Sequence, residues 1–476
     1  MLFNSVEFLL IFLPLVLAGF YVILKYNSNL TQWFLIFASM AFYSYWDIRY
    51  LPLLAGSIGV NYLFGNYLIR KPSRKLLVTS IVFNLGLLVF FKYTDFIIET
   101  VNTLQNQQFD LMHIALPLAI SFFTFQQIAY LVDCYSQKIE KEYGFSNYAL
   151  FVCYFPQLIA GPIVHHKEMV PQFQKIGSGY HVDAETVSKG LILLLVGLFK
   201  KVVIADYIAL YVDPAFSNVA SLSFYDAWSA MLGFTLELYF DFSAYCEIAM
   251  GLGLLFGIKL PINFQSPYKA TSIQDFWRRW HITLGEFLKH YLYIPLGGSN
   301  IGAVHTVLAL SITMLVGGLW HGASWHYVVW GLLHGLMLSI YFIWRQTSYQ
   351  LPPAAARLIT FICVMLAWVM FRADSFNDAI HYYGTLFGLN GVTLPPLYQG
   401  LAENTGLINV TISPYFSGHE LWLLIVLAGC TMYCQNIHEV LATIKPNNKL
   451  AATMATLVAV IALNLGTKST FLYFQF

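Results

Sequence analysis

Long apolar runs separated by short polar stretches recur from one end of the chain to the other. They lie near residues 6–24, 30–46, 51–69, 76–93, 114–133, 188–209, 227–257, 303–320, 325–344, 358–371, 420–434 and 450–467. A helix that crosses a bilayer needs roughly 20 predominantly apolar residues. The pattern therefore predicts an all-α polytopic membrane protein with about eleven transmembrane helices, in one domain over residues 1–476. The first run has neither a basic leader nor a small-residue cleavage site, so it reads as an uncleaved helix.

Three stretches depart from the plain pattern. Residues 147–166 carry Pro156 and Pro162 inside one apolar run. Proline breaks a helix, and irregular backbone at membrane depth survives only when it is buried in protein or lines a cavity, so this is a re-entrant or broken segment. Residues 259–300 are amphipathic. Ser272 with Asp275 predicts a capping box that opens a helix across Arg278-Arg-Trp-His281. Beyond it, Leu284, Phe287, Leu288, Tyr291 and Leu292 share one face, opposite Glu286 and Lys289, as in an interfacial helix. Residues 97–113 read as a polar outer segment, and 373–418 as a mixed loop on the membrane surface.

Charge fixes an expected orientation. Arg70-Lys71-Pro72-Ser73-Arg74-Lys75 has four basic residues and no acid, so this loop should be cytoplasmic. Three spans precede it, which predicts an amino terminus outside. The composition is 58% hydrophobic and 10% charged, and the net charge of +1 gives no field for nucleic acid. No partner beyond membrane lipids follows from charge alone. The six cysteines include no Cys-x-x-Cys and read mainly as small buried apolar groups. No metal site is expected. A Walker loop, a dinucleotide fingerprint, His-Glu-x-x-His and Gly-x-Ser-x-Gly are all absent, which argues against an ATP-driven pump, a zinc protease and an ordinary serine hydrolase.

Ionisable groups are costly in a bilayer, so their clusters mark candidate chemistry. His321 sits between Trp320 and Gly322 at the end of an apolar span. A neutral imidazole in a restricted cavity can act as a general base, and glycines 317, 318 and 322 leave room for a ligand or a close backbone. A histidine satisfied at a helix end fits the position equally well. His281 has Arg278 and Arg279 beside it, and guanidinium forks bind phosphates bidentately, so a phosphate-bearing acyl donor is one reading. Arginines reaching lipid headgroups, or paired with Asp275, fit slightly better on position alone. His326, Trp330 and His334 follow one helix face and read mainly as packing. Glu237, Asp241 and Glu247 form either a proton path or, more simply, partners for Lys or Arg.

Taken together, Tyr239-Phe-Asp-Phe-Ser-Ala-Tyr245, Asn263-Phe264 with Pro267-Tyr268, Phe276-Trp-Arg-Arg-Trp-His-Ile-Thr283, Tyr291-Leu-Tyr-Ile-Pro-Leu-Gly-Gly298 and Gly318-Leu-Trp-His-Gly322 resemble the membrane-bound O-acyltransferase family. Phe155-Pro-Gln157, Ala160-Gly-Pro162, Trp368, Phe371-Arg372 and the terminal Phe471-Leu-Tyr-Phe-Gln-Phe476 resemble its bacterial branch, typified by the membrane subunit of alginate O-acetylation. Where that branch commonly has Gly-Tyr-Ser-Asp, this chain has Ala244-Tyr245-Cys246-Glu247.

The resemblance implies a ring of tilted helices around a thinned centre, with a funnel on each side meeting near His321. It implies an acyl transfer in which His321 matches the essential histidine and His281 a second active-site position. Arg278, Arg279, Trp280 and Trp320 would bind the donor. The expectation is an inner-membrane O-acetyltransferase with no bound cofactor, which takes acetyl from a cytoplasmic donor, acetyl-CoA. The acetyl group would pass across the membrane toward an extracytoplasmic polysaccharide such as alginate or peptidoglycan. A separate extracytoplasmic SGNH-hydrolase-like acetyltransferase would finish the transfer. The alternatives are D-alanyl transfer to teichoic acid and a non-catalytic transporter.

Overall fold

Backbone groups in a bilayer must pair within their own segment or with a neighbouring one, and helices are the simplest solution. In the computed structural model, which describes residues 1–176, 180–400, 412–445, 447–465 and 471–472, helices are the only extended elements among the described residues. An isolated bridge between Leu394 and Ile412 is the sole strand-type pairing among them. Among the described residues, six helices are long and apolar enough to cross a membrane: Phe8–Tyr26, Arg74–Gln105, Phe224–Leu255, Ala303–His321, Trp325–Trp344 and Pro353–Arg372. His419–Tyr433 and Ile437–Thr443, bent by 51°, make a seventh if counted as one span. The chain is therefore a polytopic membrane protein.

The expected count of about eleven is larger than this: some of the expected spans are short helices, and others, such as Leu51–Arg70, are long enough but less apolar. Leu30–Ser44 and Asn448–Asn464 are shorter apolar helices. Ile120–Tyr135 has 16 residues, which at about 1.5 Å per residue falls short of a hydrocarbon core of about 30 Å. Residues 97–113 also differ from expectation. The helix from Arg74 passes through a π turn at Val89–Tyr93 and runs on to Gln105, so half of the supposed outer segment is helical.

The contacts divide the chain into two compact units. The first is built mainly from Met1–Leu198 and Tyr245–Ile262. Its interior carries a polar ladder. Asn61 and Asn84 exchange amide bonds of 3.0 and 2.6 Å, Gln127 donates to Ser57 Oγ at 2.9 Å, and the Tyr148 hydroxyl donates to Gln127 at 3.2 Å. Every member is buried, so these bonds tie helices together where apolar contact alone cannot discriminate one neighbour from another. The broken segment is present as expected: Phe145–Cys153 ends at Tyr154, Phe155–Leu158 restarts with Pro156 in its first turn, and residues 148–164 are all buried. Gly190 and Gly251 let two helices touch, since a Cβ on Gly190 would stand 2.9 Å from the Gly251 carbonyl oxygen.

The second unit is built mainly from Phe199–Ala244 and Asn263–Asn464, with Phe471 and Leu472. Ala303–His321 and Trp325–Trp344 form a tight hairpin. Gly318 lies against Gly331, where a Cβ would come within 3.0 Å of the Gly331 Cα, and Gly335 lies against Ser311. Gly322 accommodates the Tyr327 ring. The glycines flanking His321 thus serve close packing, the second of the two uses the sequence allowed. Of Glu237, Asp241 and Glu247 in the long helix Phe224–Leu255, Asp241 has a partner of the expected kind. Lys201 Nζ bridges Asp206 at 2.7 Å and Asp241 at 2.8 Å, and Asp241 also accepts the Leu472 N–H at 3.0 Å. The mixed loop is anchored by buried Asp226, which accepts from Ser223, Thr393 and Ser413. Its residues 401–411 and the terminal residues 473–476 lie outside the described residues.

Candidate active site

His281 is held by an unusual piece of chain. The Ser272 hydroxyl accepts the Asp275 N–H as expected, but the helix it opens, Ile273–Trp277, stops before the arginines. His281 then adopts φ +45° and ψ +53°, and a new helix, Ile282–Leu288, begins after it. The single helix expected across Arg278-Arg-Trp-His281 is therefore two helices joined at a left-handed residue. For a non-glycine side chain that conformation costs roughly 1 kcal/mol or more, and such strain persists only where the surroundings enforce it.

Here the enforcing group is Asn263. Gln265 N–H donates to the Arg279 carbonyl at 2.9 Å and Ile282 N–H to the Asn263 carbonyl at 3.0 Å, laying the two stretches side by side. The Asn263 side-chain oxygen accepts from the Thr283 N–H at 3.2 Å and the Thr283 hydroxyl at 2.9 Å, and it meets His281 Nδ1 at 3.2 Å. His281 is 0% exposed, and burial pushes its pKa down to about 3, which keeps the ring neutral at physiological pH.

His321 is the last residue of Ala303–His321 and is 7% exposed. Its ring centroid stands 6.4 Å from that of His281, with the planes at 61°. Trp330 meets His321 edge-on at 5.2 Å, Phe371 at 5.4 Å and Trp320 at 5.1 Å. Phe242 closes the His281 side at 4.8 Å. Two imidazoles thus face each other inside an aromatic cage, an arrangement suited to shuttling a proton at low water activity.

The other expected site residues divide. Trp320 joins the cage, touching His281 at 6.2 Å. Trp280 is buried one layer away, between Phe264 at 5.0 Å and Trp368 at 5.1 Å. Arg278 is exposed. Arg279 is tied to Asp275 at 2.9 Å and to the Gln265 carbonyl at 3.4 Å. The two arginines are therefore not equivalent. Asn263, Phe242 and Trp330 also contact the two histidines, and the sequence signal for Asn263 is the Asn-Phe motif that it opens. His334 is buried with Trp277 Nε1–H donating to its Nδ1 at 3.2 Å, and Trp330 lies between it and His321.

A second ionisable cluster lies in the first unit. Asp133 receives His165 and His166, both at 3.1 Å, and Lys138 at 2.8 Å; their donor atoms lie within 4.8 Å of one another in the Asp133, His165, His166 group. These are metal-ligand types. However, the Lys138 ammonium already supplies the countercharge, and Lys167 N–H donates to His165 Nδ1 at 3.3 Å, so the proton sits on the Nε2 facing the carboxylate. Tyr143 meets the other side of His166 at 3.0 Å. The cluster is a buried carboxylate held by three donors.

Comparison with known proteins bears on this geometry. A model of the membrane-bound O-acyltransferase family matches residues 136–376, which include both histidines. The chain is 41% identical to the peptidoglycan O-acetyltransferase of Helicobacter pylori, covering 100% of this chain and 98% of that protein. It is 37% identical to the probable alginate O-acetylase AlgI of Pseudomonas aeruginosa, over 86% of this chain and 78% of that protein. The teichoic acid D-alanyltransferase of Bacillus subtilis is more distant, 25% identical over 55% of this chain and 69% of that protein. With its full-length relatives and its buried histidine pair, this chain belongs to the membrane-bound O-acyltransferase family.

Proposed function

We propose that the protein transfers acetyl groups for O-acetylation of an extracytoplasmic polysaccharide, with peptidoglycan ahead of alginate because the full-length relative is named for it. The observation that carries the reading is the His281–His321 pair, 6.4 Å apart in a buried aromatic cage. His321 accepts the proton of the attacking hydroxyl as its oxygen bonds to the acyl carbon, then returns a proton to the leaving thiolate as the C–S bond breaks. His281 orients the reacting groups. Acetyl-CoA is the proposed donor, and Arg278 is the arginine whose side chain is open to donor phosphates. Trp280 and Trp320 shape the donor side.

The acetyl group leaves on the outer face to a separate hydrolase-like acetyltransferase, as the resemblance to the alginate O-acetylation branch implies. The orientation follows from the basic loop around Pro72 lying inside. Helices as short as Leu30–Ser44 suit a bilayer thinned at the centre of one membrane domain.

The test is acetate release from purified envelope polymers of cells with and without the protein, paired with acetyl-CoA consumption by the purified protein. Unchanged polymer acetate in its absence ends the proposal. D-alanyl transfer is the less supported reading, given 25% identity over about half the chain. Binding of an acyl carrier protein in preference to acetyl-CoA would bring it forward.

A further inference from the structure

The bonds around Asn263 dictate where a proton sits. Its side-chain oxygen accepts the Thr283 backbone N–H at 3.2 Å. A backbone N–H can only donate, so that atom is the carbonyl oxygen and not the amide nitrogen. The same oxygen lies 3.2 Å from His281 Nδ1. An oxygen cannot donate, so Nδ1 carries the hydrogen, and in a neutral imidazole Nε2 is then left with its lone pair. The other histidine near this cage has the opposite arrangement. Indole N–H can only donate, and Trp277 donates to His334 Nδ1 at 3.2 Å, which puts the hydrogen of His334 on Nε2.

We propose that Asn263 is a positioning residue that locks His281 in the Nδ1–H tautomer, so that Nε2 works as a hydrogen-bond acceptor in the acyl transfer and never as a donor to the acyl carbonyl. What Nε2 accepts from rests on the acyltransferase reading above: an N–H of His321, whose other ring nitrogen takes the proton of the attacking hydroxyl. The tautomer itself rests only on the geometry. His281 forms no bond to the acyl carbon and takes no net proton; it holds the His321 ring in line while that ring's other nitrogen takes the hydroxyl proton. The backbone strain at His281 fits this role, because φ +45° brings Nδ1 onto an oxygen already committed to the next residue but one.

The experiment is ¹⁵N spectroscopy of histidine-labelled, detergent-solubilised full-length protein, with the His281 signals assigned by their loss in His281→Gln. Wild type should show a protonated Nδ1 and an unprotonated Nε2. In Asn263→Leu the His281 signals should move toward the other tautomer, and kcat should fall about 10- to 100-fold, less than the 10²–10⁴ of losing a general base. The donor KM should stay within about two-fold, since uniform binding is untouched. Asn263→Asp keeps the acceptor oxygen and should retain the tautomer and more of kcat than Asn263→Leu. A protonated Nε2 in wild type overturns the proposal, as does full kcat in Asn263→Leu. Should Asn263→Leu fail to accumulate, the wild-type spectrum still decides. Wild type that acetylates nothing would sink the functional reading and leave the tautomer result legible; the wrong tautomer in an active enzyme would do the reverse.

Discussion

His281 and His321 approach to 6.4 Å with their rings crossed at 61°, although one sits at a left-handed kink between two short helices and the other at the end of a long apolar helix. At that separation and angle the two imidazoles meet edge to face. His281 is fully buried and His321 nearly so, which limits the groups that can exchange a proton with either ring.

From that relationship follows an order of loss. His321→Ala should cost most of the acetylation, roughly 10²–10⁴-fold, and His321→Gln should not restore it. His281→Ala should leave more activity, because orienting a hydrogen is less demanding than accepting one. Polymer acetate measured in cells at matched protein levels decides the matter. Near-normal acetate with His321→Ala would return that residue to a packing role.

Burial of His281 also has a consequence for stability. Unfolded, the ring titrates near 6.5; folded, near 3. Between those values the unfolded chain binds the extra proton, so the contribution of His281 falls as the pH drops from about 6.5 toward 3, by up to about 1.4 kcal/mol per unit. Thermal unfolding in detergent at pH 7 and pH 5 should therefore show a smaller acid penalty for His281→Gln than for wild type. Equal penalties would mean the ring is hydrated.

The arginines should separate on substitution. Arg278 is exposed, whereas Arg279 is engaged with Asp275. Arg278→Gln should raise the donor KM about 10-fold, the scale of one charge-assisted contact, with little change in kcat. Arg279→Gln should alter KM less, and as a half-exposed pair at i,i+4 it should cost stability only about 0.5 kcal/mol. The same KM shift in both variants would contradict the division seen in the structure.

Much of this was legible in the residues, and the omissions have physical causes. Apolar periodicity located the membrane helices, and Pro156 marked the broken segment, because both are local properties of the chain. Six or seven helices among the described residues meet the length and apolarity of a span, against the eleven expected, since an apolar run does not reveal where a helix begins, ends or bends. His321 and His281 stood out as titratable groups in apolar surroundings. Asn263 did not, because its importance lies in bonds to residues 18 and 20 positions away, which no periodic pattern encodes. The positive φ of His281 was hidden for a related reason: no glycine announces it.

Topology can be read from two exposed positions. Arg70 pairs with Glu142, and Gln137 donates to the Leu68 and Ile69 carbonyls at 3.3 Å, so the loop after Tyr135 shares a face with the basic loop. Pro72→Cys should resist an impermeant thiol reagent in intact cells, and Gln107→Cys, beyond the helix that ends at Gln105, should react. Both positions are exposed, whereas Asn4 is 8% exposed and would be silent on either side. Reversed labelling would turn the donor side outward.

The buried ion group at Lys201 offers the strongest test of what holds the second unit together. Lys201 is 2% exposed and lies between Asp206 and Asp241, with the Phe471 ring 4.8 Å from its ammonium. Asp241 in turn accepts the Leu472 N–H, so this one cation neutralises two acids and anchors the end of the chain. Removing one partner from a buried ionic group leaves uncompensated charge and typically costs about 3–5 kcal/mol. Lys201→Met should therefore lower the unfolding temperature sharply, while His321→Ala should barely move it. Lys201→Met combined with Asp206→Asn and Asp241→Asn removes the stranded charges and should recover a large part of the loss, because apolar or neutral replacements of whole ion groups are often tolerated. If the triple variant is no more stable than Lys201→Met alone, the cost lies in lost packing around Phe471 and not in charge.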